Sequence, residues 1–318
     1  MGIEKKIEQK IVIGVLGGRS LVGNVLIPML VQAGYRVVAF SRKNQPQPTE
    51  QPTEQSTEQP TVQGVEWRHL SDNPSSTRLV PVQDRIDWWI CLAPIWVLPT
   101  YYPLLAAHGT RRIVVLSSTS RFTKVNSTVS SDAIVVDQLV QGEDKLQAWA
   151  ANVGAEWVVL RPTLIYGNGH DKNLTEIARF IQRFGFFPFI GKGKGLRQPI
   201  RTEDVAQACV SALCRTTIAN RAYNIAGQEV LTYRDMVTRI FHTLKCKPRF
   251  LSIPRSLFQL ALLVVRILPR YRSWSIAMAD RMNKDMTFDW TEAKNDLGFS
   301  PRPFQFSPHD LPHDLPHG

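Results

Sequence analysis

Short, almost continuously apolar runs recur through the first two thirds of the chain: "IVIGVLG" (11–17), "YRVVAFS" (35–41), "VEWRHL" (65–70), "IDWWICLA" (86–93), "RIVVLSS" (112–118), "EWVVLRP" (156–162) and "AYNIAG" (222–227). A strand covered on both faces has this character, because neither side of it meets water. Between several of the runs lie helix-length amphipathic segments, 21–33, 98–108 and 133–151. Alternation of this kind predicts an α/β fold, a doubly wound parallel sheet of about seven strands. From Asn168 onward the segments lengthen and carry aromatic and basic residues, which predicts a smaller C-terminal α/β subdomain. The expected division is 1–167, with 200–227 returning to it, against 168–199 with 228–305.

Two stretches have little to bury. Residues 45–63, "QPQPTEQPTEQSTEQPTVQ", repeat Pro, Thr, Glu and Gln and are expected to form a disordered insertion between the second and third strands. The tail 306–318 repeats a Pro-His-Asp-Leu unit and is expected to fray, leaving His309, His313 and His317 as at most weak chelators. "LFQLALLVVRILP" (257–269) is the longest apolar stretch; it is too short to span a bilayer and contains Arg266, so it is expected to be a core helix or one lying on a membrane surface.

Composition narrows the function classes only a little. The formal charge of +11 in 318 residues is spread along the chain rather than gathered in runs, so it suits an anionic small molecule and does not call for a nucleic acid. Cys91, Cys209, Cys214 and Cys246 show no paired spacing and are expected to be reduced core thiols of a cytoplasmic protein, with no metal bound. The N-terminal apolar run is short and glycine-rich, and Lys6 stands where a myristoylation signal needs Ser or Thr, so neither an export leader nor a lipid anchor is expected.

The chemistry-bearing feature is "GVLGGRSLVGNVL" (14–26). A strand ending at Leu16, the turn Gly17, Gly18, Arg19, Ser20, and a helix opening around Leu21, Val22 and Gly23 give the strand–turn–helix context of a pyrophosphate loop. Gly17 permits the tight turn, backbone amides at the helix start face phosphate, and Gly23 allows close packing of helix on strand. Ser20 replaces a middle glycine. Arg42 follows the second strand, where an acid that holds ribose hydroxyls would mark NAD. A guanidinium there forks onto a 2′-phosphate, so NADP(H) is favoured over NAD(H), with Arg19 in support; the alternative is a solvated strand-end arginine. Asp72, after the third strand, is either an adenine contact or a plain loop residue.

These motifs, with "ICLAP", "VVLSSTS", "VVLRPTLIYGNG", "QPIRTEDVAQACVSAL", "YNIAG" and "DLGFSPRPF" following in order, resemble the extended branch of the short-chain dehydrogenase/reductase family, the NAD-dependent epimerase/dehydratase group that acts on nucleotide sugars. The resemblance covers nearly the whole chain and implies a Rossmann-type fold, a cofactor site that includes Leu92, Ala93, Pro94, Ser117 and Pro162, and a homodimer. It also implies that the glycine-bearing stretch with Lys192, Lys194, Arg197 and Arg201, together with Arg281, closes on the diphosphate of a substrate.

The catalytic pattern departs from that family. Its helical Tyr and the Lys four residues later act as general acid–base and as the cation that lowers the phenol pKa. No Tyr of this chain has a Lys four residues on. Setting Glu143 as the acid that follows the dyad puts Val135 at the Tyr position and Leu139 at the Lys position, while Lys145 is out of register. Thr119 remains as the candidate strand-end hydroxyl, and Tyr166 and Lys124 are the candidate proton donors. Two readings stay open: an NAD(P)-dependent oxidoreductase or epimerase-like enzyme on a nucleotide sugar or related hydroxyl or keto substrate, and a catalytically inactive NAD(P)H-binding sensor, assembly or regulatory protein.

Overall fold

The structure, a computed structural model, describes residues 11–42, 64–70, 85–123, 130–254, 281–312 and 314. The insertion 45–63, Asp72, Lys124, the apolar stretch 257–269, His313 and His317 lie outside the described residues. The chain divides into two compact units, Met1–Ser117 with Gln141–Val159 and Cys209–Ala222, and Ser118–Val140 with Leu160–Ala208 and Tyr223–Gly318. Four of the boundaries between them fall inside continuous helices or strands, and the one after Ser117 falls in a loop.

The apolar runs form the expected sheet. β1 (Val12–Leu16), β2 (Arg36–Ser41), β3 (Val65–His69), β4 (Trp88–Cys91), β5 (Arg112–Leu116), β6 (Glu156–Pro162) and β11 (Arg221–Ile225) lie in the order β11-β6-β5-β4-β1-β2-β3. β1 pairs parallel with both β2 and β4, β2 with β3, and β4 with β5. The chain therefore leaves β1 in one direction and returns on its other side at β4, the switch point at which doubly wound sheets open a crevice for ligands. Helices α1 (Gly23–Gln32), α2 (Tyr102–Ala107), α3 (Ser120–Thr123), α4 (Ser130–Val153) and α6 (Thr202–Cys214) fill the intervals. Gly142 lets α4 approach closely in the first unit, since a Cβ there would lie 2.8 Å from Ile95 Cγ2.

The first unit buries a guanidinium. Arg112 of β5 is 2% exposed, and its Nη2 donates to the carbonyls of Ala212, Arg215 and Ile218 at and beyond the end of α6, while Nη1 bonds Glu156. A helix end leaves carbonyls without intrahelical partners. Arg112 supplies donors to several of them at once from a planar fork. Elsewhere in this unit Cys91 and Cys209 are buried, which pushes each thiol up to about 12, whereas Cys214 is exposed beside the Tyr35 hydroxyl and is no core thiol.

The second unit carries the short pairs β7 (Ile165–Tyr166) with β10 (Ile200–Arg201), β8 (Phe187–Ile190) with β13 (Phe250–Ile253), and β9 (Leu196–Arg197) with β12 (Leu231–Thr232). α5 (Leu174–Phe184) and α7 (Tyr233–Thr243) pack with them around an aromatic core containing Tyr166, Phe187, Phe189, Phe241 and Phe304; α8 (Thr291–Leu297) follows. α5 starts on the Asp171 carboxylate, which accepts from the amides of Asn173, Leu174 and Thr175, and closes on Gly185 in the left-handed region at φ 73°.

The described part of the tail, residues 306–312 and 314, is held by the fold. Phe306 is buried, Ser307 and Asp310 cap one another reciprocally, and Asp310, 0% exposed, accepts from the Asn168 amide and from Arg201. Asp314 pairs with Arg179 of α5. The Asp310 carboxylate thus meets donors far away in sequence.

Replacement of Arg112 by Ala is expected to lower the free energy of unfolding by about 3–5 kcal/mol, because buried carbonyls lose their donors. Glu156→Gln, at a carboxylate with 46% of its side chain exposed, is expected to cost less than about 1 kcal/mol. Urea denaturation of both variants measures this; equal small losses would mean that Arg112 acts as an ordinary surface ion pair.

Candidate functional site

The β1–α1 turn has the geometry that the glycines prescribe. Gly17 adopts φ 79°, and a Cβ on it would meet the Ala93 backbone nitrogen at 2.9 Å. A Cβ on Gly23 would lie 2.2 Å from the Gly18 carbonyl oxygen, so the first residue of α1 rests directly on the turn that precedes it. The amides of Gly17 and Gly18 both donate to the Phe40 carbonyl, which fastens the turn to the end of β2. Ser20 is explained locally: its Oγ accepts from the Gly23 amide at 3.1 Å and so caps the helix start. Among the described residues, the amides of Leu21 and Val22 have no protein acceptor. The turn thus offers open amides at the positive end of a helix dipole.

The cations near this turn differ in their partners. Arg36 and Arg68 are both paired with Glu66, and the two guanidiniums hold its carboxyl below the usual carboxylate range against the opposing effect of burial. Arg19 instead lies over the indole of Trp67, with Cζ 5.1 Å from the ring centroid and a buried Nε that has no hydrogen-bond partner. Arg42 is exposed and has no ion pair among the described residues. Arg19 and Arg42 therefore fit a phosphate ester better than Arg36 and Arg68 do.

At the neighbouring strand ends, the Leu92 amide donates to the Leu16 carbonyl, which holds Leu92 and Ala93 beside Gly17; Pro94 is exposed. Ser117, past β5, donates to Glu143 Oε1 at 2.6 Å. Glu143 is 1% exposed, and its role as the partner of Ser117 was not read from the sequence, although an acid in an otherwise apolar stripe of α4 was the available signal. Leu139, one turn earlier, is buried, and Val135 is half-buried. Lys145 is exposed.

In the second unit most of the expected site residues are engaged by the fold. The Thr119 hydroxyl and amide both donate to the Pro162 carbonyl, each at 3.1 Å, the pattern of a strand-end hydrogen bonder. Tyr166 is fully buried between Phe304 and Phe306; its hydroxyl donates to the Gln305 carbonyl and accepts from the Gln305 amide. Burial pushes this phenol up to about 12. Arg197 is buried over Tyr233 and donates to the carbonyls of Leu196, Lys284 and Arg281. Arg201 bonds Glu203, Asp310 and the Gln305 carbonyl. Arg281 pairs with the buried Asp132 at 2.7 Å, a partner that sequence reasoning missed. Lys192 and Lys194 are exposed, as a phosphate-closing loop requires. Among the described residues no cluster of His, Cys, Asp and Glu could hold a metal ion, and no helix is long and apolar enough to cross a membrane.

Known proteins share this architecture. Residues 104–226 match the family model described as the NAD dependent epimerase/dehydratase family. Subunit 9 of the NADH dehydrogenase [ubiquinone] 1 alpha subcomplex, mitochondrial, from Arabidopsis thaliana is 29% identical over 104 residues, 32% of this chain and 26% of that protein. The chain spans less than half the length of the curated relatives it matches. The UDP-glucose 4-epimerase of Thermotoga maritima, solved with UDP-glucose, superposes with a TM-score of 0.65 at 15% identity, over 92% of this chain and 94% of that one. MoeE5, solved with UDP-glucose and NAD, gives 0.62 at 19% identity over the same shares of each chain. At these identities the solved structures establish the fold. The chain has the fold seen in nucleotide-sugar epimerases, and its residues 104–226 are similar to the NAD dependent epimerase/dehydratase family.

Proposed function

We propose that the chain holds NADP(H) at the β1–α1 turn and uses it as a bound ligand in a sensing, assembly or regulatory role. The observation that carries this reading is the contrast between a complete phosphate-type turn and an α4 stripe, Val135, Leu139 and Glu143, from which the ionisable Tyr and Lys are missing. The open amides of Leu21 and Val22 would hold the pyrophosphate, and Arg19 and Arg42 the 2′-phosphate. A bound nicotinamide dinucleotide supplies hydride-transfer chemistry. What this chain's own side chains do is bind and orient: Val135 and Leu139 can neither give nor take a proton, Tyr166 is locked in the core, and the Thr119 hydroxyl is committed to Pro162. The plant relative is by name a subunit of a larger NADH dehydrogenase, which favours a role in an assembly.

A second reading is an oxidoreductase or epimerase acting on a nucleotide sugar. It is favoured by the exposed Lys192 and Lys194 on a glycine-bearing loop, which suit closure over a diphosphate, and by solved structures of the same fold that hold UDP-glucose.

Calorimetric titration is expected to show NADPH binding more tightly than NADH. Gly23→Ala forces a methyl against the Gly18 carbonyl and should weaken NADPH by about tenfold or more, roughly 1.4 kcal/mol. Ser20→Gly frees the Gly23 amide and should keep or tighten binding; an unchanged affinity in Gly23→Ala would show that the turn holds no dinucleotide. Incubation with NADP(H) or NAD(H) and a panel of UDP- and dTDP-sugars is expected to give no turnover. Turnover that disappears in Thr119→Ala would establish the second reading instead.

A further inference from the structure

The geometry points to Trp67 as a positioning residue that holds Arg19 for the 2′-phosphate of the dinucleotide, an assignment that rests on the NADP(H) site proposed above. Trp67 is the central residue of β3, opposite Ala39 of β2. Its ring is pinned beside the phosphate turn: a Cβ at Gly18 would lie 3.1 Å from Trp67 Cζ3, 3.0 Å from Ile27 Cδ1 and 3.2 Å from the Ala39 Cβ. A ring fixed against the turn is a fixed platform for the next residue along, and Arg19 lies on it at 5.1 Å.

What Arg19 lacks is as informative as what it touches. Its Nε is buried without a hydrogen-bond partner, so neither a carboxylate nor a carbonyl fixes the guanidinium through that atom. The aromatic face orients the group while leaving its donors available. The adjacent Arg68 shows the other arrangement: Nε and Nη2 are both taken by Glu66, which also binds Arg36. Glu66, the acid of β3, is thereby engaged by two cations.

Direction completes the argument. Arg19 leaves the turn toward β3, on the β2 side of β1, and away from the β1/β4 switch point where Ala93 meets Gly17. In doubly wound sheets the pyrophosphate lies at the turn and the adenosine ribose at the end of β2. Arg19 is thus held toward the ribose rather than the nicotinamide, on the side where Arg42 ends β2.

The test is the NADPH/NADH affinity ratio in Trp67→Leu, Trp67→Phe, Arg19→Gln and the Trp67→Leu/Arg19→Gln double variant, measured by titration on the full chain with thermal melts to confirm folding. Trp67→Leu is expected to weaken NADPH by about tenfold and leave NADH within about twofold. Trp67→Phe keeps a π face and should restore most of the ratio, and the double variant should lose no more than Arg19→Gln alone. Parallel weakening of both cofactors, or an unchanged ratio in Trp67→Leu, overturns the assignment while leaving the dinucleotide site intact. A wild-type chain that binds both without preference also overturns it. A wild-type chain that binds neither removes the proposed site itself.

Discussion

The first residue of α1 is pressed so closely onto the end of the preceding turn that no side chain fits between them: a Cβ at residue 23 would stand 2.2 Å from the Gly18 carbonyl oxygen. That constraint sets the angle at which the helix leaves the sheet. With the turn tied to the Phe40 carbonyl by two amides, the start of α1 can lie only beside the ends of β1, β2 and β4. The amides of Leu21 and Val22, the Ser20 hydroxyl and the Arg19 side chain inherit their positions from it. Serine is accommodated at residue 20 because its own oxygen accepts from the Gly23 amide and closes the helix start.

The positive charge of the chain becomes intelligible once its arginines are traced. Arg112, Arg197 and Arg201 direct donors at backbone carbonyls of helix ends and loops. Arg112 and Arg201 also pair with Glu156 and with Glu203 and Asp310, whereas Arg197 donates to backbone carbonyls, a use of the guanidinium fork that needs no matching acid. Arg19 and Arg42 stand apart from this use: among the described residues neither has a carboxylate partner.

The sheet was legible in the sequence because strands covered on both faces leave uninterrupted apolar runs, and the strand–turn–helix geometry at Gly17 and Gly23 was legible because those glycines meet local sterics. What escaped were the non-local pairings. Arg197, Arg201 and Arg281 have the composition of phosphate ligands, and only folding brings the Lys284 carbonyl, Asp310 and Asp132 to them. The tail repeat looked unburiable because nothing in "PHDLPHDLP" announces that Asp310 meets Arg201 and the Asn168 amide. Nothing in the run "VEWRHL" announces that the Trp67 ring lies under Arg19. The loss of the Tyr and Lys on α4, by contrast, needed only residue identities and spacing.

Amides that open α1 as phosphate-binding groups of a dinucleotide site are read out by hydrogen–deuterium exchange of the full chain with and without NADPH. Slowed exchange is expected in a peptide covering residues 17–26, with the amides of Leu21 and Val22 protected. Saturating NADPH that leaves this peptide unchanged would contradict that role.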